Sequence, residues 1–240
     1  METPHRMLPL LCTIIAVSWS APAAGRAQTG AISGSILFEG TPPPPTKLAV
    51  TTDADYCGAF LNGRDLVIRG GKVAYAVVSV TGAQGEIPSR EYVLSNTACR
   101  FEPPIMAATV GGILVVENGD PLLHNANLTL NLSAGSRSIG NIALPRAGMR
   151  IEKPRALRMA GRIDVKCDAH DWMSAKIWVF DHPYFDVTGD DGAFEISGLE
   201  PGTYTLTAWH DVLGTQERKV TVEPGGPVRV DLVFSTSQSE

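Results

Sequence analysis

The run Cys167-Asp-Ala-His170-Asp-Trp-Met173 puts a thiol, an imidazole and a thioether within seven residues. Residues 162–166 before it and 175–180 after it carry the apolar, β-branched pattern of strands. A strand therefore enters and a strand leaves, and the tight loop between them, 168–174, can aim all three side chains at one point. His124 lies 43 residues upstream. It follows the buried-type strand predicted at 113–116 and the loop holding Asn118, Asp120 and Pro121. In a β-sandwich, loops of this kind gather at one end of the sheets.

Two imidazoles, one thiolate and a weak thioether are the ligand set of blue-copper electron-transfer sites. The thiolate is soft and is formed readily beside a cation. Imidazole suits both copper oxidation states. The thioether binds weakly and tunes the potential without imposing a geometry, so little need reorganise when an electron moves. Zinc fits less well, since no second Cys-x2-Cys or His-x3-His pair exists. Haem attachment needs Cys-x2-Cys-His, which is missing, and a two-copper centre sharing two thiolates needs a second nearby cysteine. The expected site is thus His124, Cys167, His170 and Met173 around one type 1 copper, with a core-packing Met173 as the alternative at that position. His170, on the C-terminal loop, is expected to be the more exposed ligand and the electron port.

The neighbouring polar and aromatic residues have plainer readings. Trp172 and Trp178 read as packing groups, with partner docking the alternative for Trp172. Asp168 and Asp171 read as acceptors for turn amides, and they make the rim acidic. His182 and His210 read as loop-fixing hydrogen-bonding groups, a second metal site or a role in the domain junction being the alternatives. Ser/His/Asp triads can be assembled on paper, but no nucleophile-elbow pattern supports one.

What must position these residues is a chain of short strands. Glycine and proline are plentiful (24 and 17 of 240 residues), and hydrophobic content is 44%, which favours strands and turns in a globular protein. Strands are expected at 30–40, 46–52, 72–80, 113–116, 203–210, 218–222 and 228–234. Tyr92-Val-Leu and residues 99–108 read as edge strands around Pro103-Pro104. Gly70-Gly71, Gly189-Asp-Asp-Gly192 and Glu200-Pro-Gly202 mark turns. No amphipathic helix longer than about two turns is found by periodicity.

Residues 1–27 read as a signal peptide: Arg6, an apolar run from Met7 to Trp19, then small residues, with cleavage expected after Ala27 and Ala23 as the alternative. The run is too short to span a bilayer as an anchor, and no second long apolar stretch exists. Cleavage would remove two arginines and one glutamate and move the formal charge from −5 to about −6. A mildly acidic protein of this kind argues against nucleic-acid binding. Export makes disulfides possible. The remaining three cysteines are an odd number, and pairing Cys57 with Cys99 leaves Cys167 alone among metal-ligand types.

The order His…Cys-x2-His-x2-Met resembles cupredoxins, with a ligand loop similar to amicyanin's. The run Phe101-Glu-Pro…Gly112-Ile-Leu-Val-Val-Glu-Asn118-Gly-Asp120-Pro-Leu-Leu-His124-Asn125, the Cys-Asp-x-His-x-Trp-Met loop and Asp181-His-Pro-Tyr-Phe185 resemble a bacterial group of plastocyanin-like, methylamine-utilisation-type proteins. That resemblance implies copper binding, electron transfer and a hydrogen bond from Asn125 across to the cysteine loop. Pro104 stands where such relatives often have histidine. Gly30-Ala-Ile-Ser-Gly34 and Thr188-Gly-Asp-Asp-Gly-Ala-Phe194…Leu199-Glu-Pro-Gly-Thr-Tyr204 resemble a carboxypeptidase-regulatory, prealbumin-like (Ig-like) β-sandwich.

The expectation is therefore an all-β chain: a signal peptide over 1–27, a prealbumin-like sandwich in two parts (28–90 and 183–240), and a cupredoxin domain over 91–182 between them. Two consecutive domains are the alternative. The expected function is one-electron transfer by an exported protein, periplasmic if bacterial. Its partner would be a redox protein such as a c-type cytochrome or a membrane oxidoreductase. It is not expected to be an enzyme, since four protein ligands leave no open position for a substrate. A copper carrier and a binding or adhesion sandwich are the competing readings.

Overall fold

The computed structural model describes residues 28–235. The expected signal peptide lies outside the described residues. Among the described residues the regular structure is all strand apart from a single helical turn, Ala54–Cys57, and no helix is long and apolar enough to cross a membrane.

The strands build two sandwiches with separate cores. In one, Gly30–Glu39 pairs antiparallel with Ala193–Leu199 and parallel with both Pro227–Arg229 and Leu232–Ser235. The opposing sheet runs Phe185–Val187, Val77–Thr81, Gly202–His210, Gly214–Val222. Ile32, Ile36, Val78, Phe194, Leu206 and Phe234 fill the space between. Gly34 is required here, because a Cβ at that position would lie 1.9 Å from the Val230 carbonyl oxygen.

The second sandwich uses only strands from the middle of the chain. One sheet orders Met149–Lys153, Ile113–Asn118, Glu91–Thr97 and Arg100–Glu102. The other orders Gly135–Leu144, His124–Leu132, Gly161–Lys166, Ser174–Phe180 and Ile105–Thr109. Alternation along Glu91–Thr97 sends Tyr92, Leu94 and Asn96 inward. Leu94, Leu114, Leu128, Ile163 and Ile177 are fully buried in a core that also contains Cys167 and Met173. Burying apolar surface on this scale, at about 25 cal/mol per Å², is the main force holding each sandwich together.

Four sequence expectations need correction. The stretch 228–234 is two strands, Pro227–Arg229 and Leu232–Ser235, interrupted at Val230 and Asp231. Glu91–Thr97 is an interior strand, parallel to Ile113–Asn118 on one side and paired with Arg100–Glu102 on the other. Within residues 91–109 the edge strands are Arg100–Glu102 and Ile105–Thr109, in opposite sheets, which suits the prolines at 103 and 104. The stretch 72–80 is not one strand. It breaks between Lys72–Val73 and Val77–Thr81, with Tyr75 at φ 62°. Thr188 holds the break open: its hydroxyl donates to the Val73 carbonyl and accepts the Ala76 amide, while its carbonyl accepts the Tyr75 amide.

The fourth concerns residues 46–52. Only Lys47–Ala49 is strand, and it pairs with Phe60–Asn62 in a two-stranded sheet joined to neither sandwich. This hairpin, with its helical turn, lies over the end of the second sandwich where His124 and Cys167 are found.

Candidate metal centre

Register brings the ligands together. His124 opens its strand, and Asn127 of that strand pairs with Lys166 at the end of the neighbouring one. Cys167 follows immediately. The loop after it closes through two backbone bonds, from the Met173 amide to the His170 carbonyl and from the Cys167 amide to the Met173 carbonyl. His124, Cys167 and His170 each bring a donor atom within 4.8 Å of the others, and all three are buried. The Nδ1 atoms of His124 and His170 lie 3.9 and 3.6 Å from the Cys167 sulfur. The two imidazole centroids are 4.6 Å apart. Met173, at the end of the loop, is 2% exposed and belongs to the same core cluster as Cys167.

Each imidazole is fixed at its far side by a carboxylate. His124 Nε2 is 3.0 Å from Asp120 Oδ2, and His170 Nε2 is 3.0 Å from Asp53 Oδ2. An ionised carboxylate only accepts hydrogen bonds, so Nε2 carries the proton in both rings. In a neutral ring so fixed the Nδ1 lone pair is free, and both Nδ1 atoms lie toward the thiol. This donor set fits a soft, imidazole-binding metal: neutral imidazoles held by an outer carboxylate are the arrangement that orients histidine ligands and raises their basicity. Burial holds the His124 imidazole's pKa below its usual value, against the pull of Asp120.

Asp120 itself is buried. Burial would raise its pKa, but the amides of Cys99 and Ala98, the His124 ring and the Tyr56 hydroxyl together hold it below the usual carboxylate range. Asn118 shapes the loop that presents Asp120 and His124. Its amide nitrogen donates to the Leu122 and Leu144 carbonyls, and its oxygen accepts the Asp120 amide.

Asn125 reaches from the His124 strand to the cysteine loop. Its Oδ1 accepts the Asp168 amide at 2.7 Å and the Cys167 thiol at 3.4 Å. Asp168 does not serve turn amides. Its carboxylate accepts from the side-chain amides of Asn125, Asn127 and Asn141, which hold its pKa low. Asp171 accepts the Thr51 hydroxyl.

The expected exposure of His170 is wrong: the residue is 0% exposed. The hairpin around Asp53 covers it, and the Trp172 ring lies 5.0 Å from its own. Trp172 donates its indole N–H to the Cys99 carbonyl. Cys57 and Cys99 are joined by a disulfide with Cα atoms 5.7 Å apart, and Cys167 is the free cysteine among the described residues.

The remaining candidates stand apart from this cluster. His182 Nδ1 accepts the Tyr184 amide, and His210 Nδ1 accepts the amides of Val212 and Leu213. Both hold turns. Trp178 packs on Trp209 with centroids 4.9 Å apart, in the seam between the sandwiches. Asp53 and Asp120 are the functional residues that sequence reasoning missed. Asp120 is four residues before His124, a spacing that offered a signal; Asp53, 117 residues from His170, offered none.

Residues 173–235 match the family model of the carboxypeptidase regulatory-like domain. The match begins at Met173, crosses Ser174–Phe180 of the second sandwich and continues through the first. No curated protein matches. Among solved structures, the chain is similar to amicyanin from Paracoccus versutus (17% identity over 43% of this chain and 97% of that one, TM-score 0.31). It is similar to a purple cupredoxin from Nitrosopumilus maritimus (19%, 39% and 100%, 0.31). It is also similar to a copper-containing nitrite reductase from Thermus scotoductus SA-01 (17%, 48% of this chain, 0.30), of which it spans 25% of the length.

Proposed function

We propose that this protein is an exported one-electron carrier with a single type 1 copper. The residues that would hold it are His124 and His170 through Nδ1, Cys167 through its thiolate, and Met173 as a weak fourth ligand. When bound, the copper supplies a reversible one-electron couple. The convergence of two carboxylate-fixed imidazoles on one buried thiol carries this reading.

The protein's part is to hold the donors still and dry. Asp120 and Asp53 fix the ring tautomers. Asn125 ties the cysteine loop to the histidine strand, so the two ligand-bearing segments move as one. Burial of Cys167, His124 and His170 excludes water, which lowers reorganisation. Trp172 is half-buried, touches His170 and lies beside the site, a suitable group for passing electrons to a docked partner such as a c-type cytochrome or a membrane oxidoreductase. Burial of both histidines also argues against a copper carrier, which must offer a ligand to the receiving protein. Substrate chemistry would need an open coordination position, and four donors leave none.

The test is a Cu(II) titration of the chain from residue 28 onward, with Cys167→Ser beside it. An intense thiolate-to-copper band at one equivalent, bleached by a mild reductant and absent from the variant, is expected. A colourless complex, or a band that survives the substitution, contradicts the reading. A slow loss of copper to excess chelator, together with fast electron exchange, separates a carrier of electrons from a carrier of metal.

A further inference from the structure

The segment 47–62 belongs to the chain that builds the other sandwich, yet its side-chain and disulfide contacts run to the metal centre. Thr51 bonds Asp171 in the ligand loop, Asp53 bonds His170, and Tyr56 bonds Asp120. Cys57 is bonded to Cys99, and the Asn62 carbonyl accepts from Arg100. The hairpin has no core of its own: its helical turn buries no residue, and Tyr56 and Phe60 are exposed. A strand pair this short is not stable alone. Its place is fixed by these attachments.

Backbone strain points the same way. Asp53, Ala98 and Cys99 are three of the four non-glycine residues with positive φ among those described, at 55°, 51° and 58°. Ala98 and Cys99 form the tight turn whose two amides rest on Asp120. Asp53 stands at the N-cap of the turn Ala54–Cys57, where an aspartate ordinarily accepts amides of its own helix. It makes no such bond and reaches His170 instead. Left-handed conformations at non-glycine residues cost of order 1–3 kcal/mol each and persist where the surroundings over-determine them, which is typical of functional sites.

We propose that residues 47–62 are a disulfide-tethered cap that completes the metal centre, and that Asp53 is the positioning residue for His170. Asp53 keeps the ring in the Nε2–H tautomer with Nδ1 toward Cys167, and the cap shuts solvent away from that ligand. The tether sets where Asp53 sits, since Cys57 is four residues on, at the other end of the helical turn. The metal part of this inference rests on the copper reading above.

The test uses the full chain from residue 28 with Asp53→Ala, Asp53→Asn and the double substitution Cys57→Ser/Cys99→Ser. In the metal-free protein, ¹⁵N-imidazole NMR should show His170 in the wild type as the Nε2–H tautomer alone. In Asp53→Ala both tautomers should appear. Asp53→Asn should keep the wild-type tautomer, because its amide oxygen still accepts from Nε2–H, and it guards against a folding artefact. With copper bound, Asp53→Ala and the double variant should lose metal to excess chelator about 10-fold faster or more, in line with other outer partners of metal-bound histidine. Asp53→Asn should fall between them and the wild type. Wild-type tautomer populations and wild-type chelator kinetics in Asp53→Ala would overturn the proposal. If the wild type gives no thiolate band, the copper reading fails, and the tautomer measurement still decides the role of Asp53.

Discussion

Three histidines are buried to the same degree, His124 and His170 at the metal end and His210 on a turn of the other sandwich, and they are used in opposite ways. At the metal end the far nitrogen of each ring meets a carboxylate and the near nitrogen is left free. At His210 the near nitrogen is consumed by two backbone amides. Both arrangements satisfy a buried imidazole, as burial demands. Only the first leaves a lone pair for another purpose, and it does so twice around one thiol. The hydrogen-bond partner, more than burial, separates a histidine able to serve as a ligand from a structural one.

Within the metal end, the two carboxylates also differ. Asp120 is local, fully buried and holds four donors. Asp53 is remote, its side chain 42% exposed, and it holds one. Asp120→Ala should therefore have the largest effect on stability. It strands the buried Cys99 amide and the partly buried Ala98 amide besides His124, and at about 1–3 kcal/mol per unsatisfied buried group the unfolding free energy should fall by about 2–3 kcal/mol, measured by urea denaturation. A loss under about 1 kcal/mol in that experiment would mean that Asp120 is not the keystone of this end.

The contrast with His210 gives a pH experiment. Burial lowers its pKa to about 4, against about 6.5 in an unfolded chain. Between those values the unfolded state binds the additional proton. The stabilisation is thus complete above pH 6.5 and is lost progressively as pH falls toward 4, by up to about 3 kcal/mol. His210→Asn, whose oxygen can accept the same two amides, should flatten that part of the stability curve. An unchanged pH profile in the variant would remove His210 from this account.

Two smaller effects sharpen the comparison. Trp172→Phe removes the bond to the Cys99 carbonyl and should cost about 1 kcal/mol while leaving metal binding intact. Thr51→Ala removes an exposed bond to Asp171 and should change stability by no more than about 0.5 kcal/mol. A larger loss at Thr51 than at Trp172 would show that the cap is held mainly by its polar contacts and less by its tether.

The candidate ligand loop was legible in the sequence because Cys167, His170 and Met173 fall within seven residues between two apolar strands. His124 was legible from its position after an apolar strand, and Cys57 and Cys99 from a cysteine count. The sandwiches could be read from alternation and from turns such as Gly189–Gly192. What could not be read depends on distance in the chain. Nothing near Asp53 signals that it meets His170, so the sequence carries no sign that the hairpin covers His170. The break at Tyr75 is imposed by Thr188, again a partner from far along the sequence. Local pattern names the donors; tertiary contacts decide which nitrogen of each is free.

The most direct test is a crystal structure of the copper-loaded protein with anomalous data at the copper edge. The account predicts one copper bonded to Cys167 Sγ and to Nδ1 of both His124 and His170, with Asp120 and Asp53 still on the Nε2 atoms. Copper bound through either Nε2, with its carboxylate displaced, or copper away from Cys167, would contradict it.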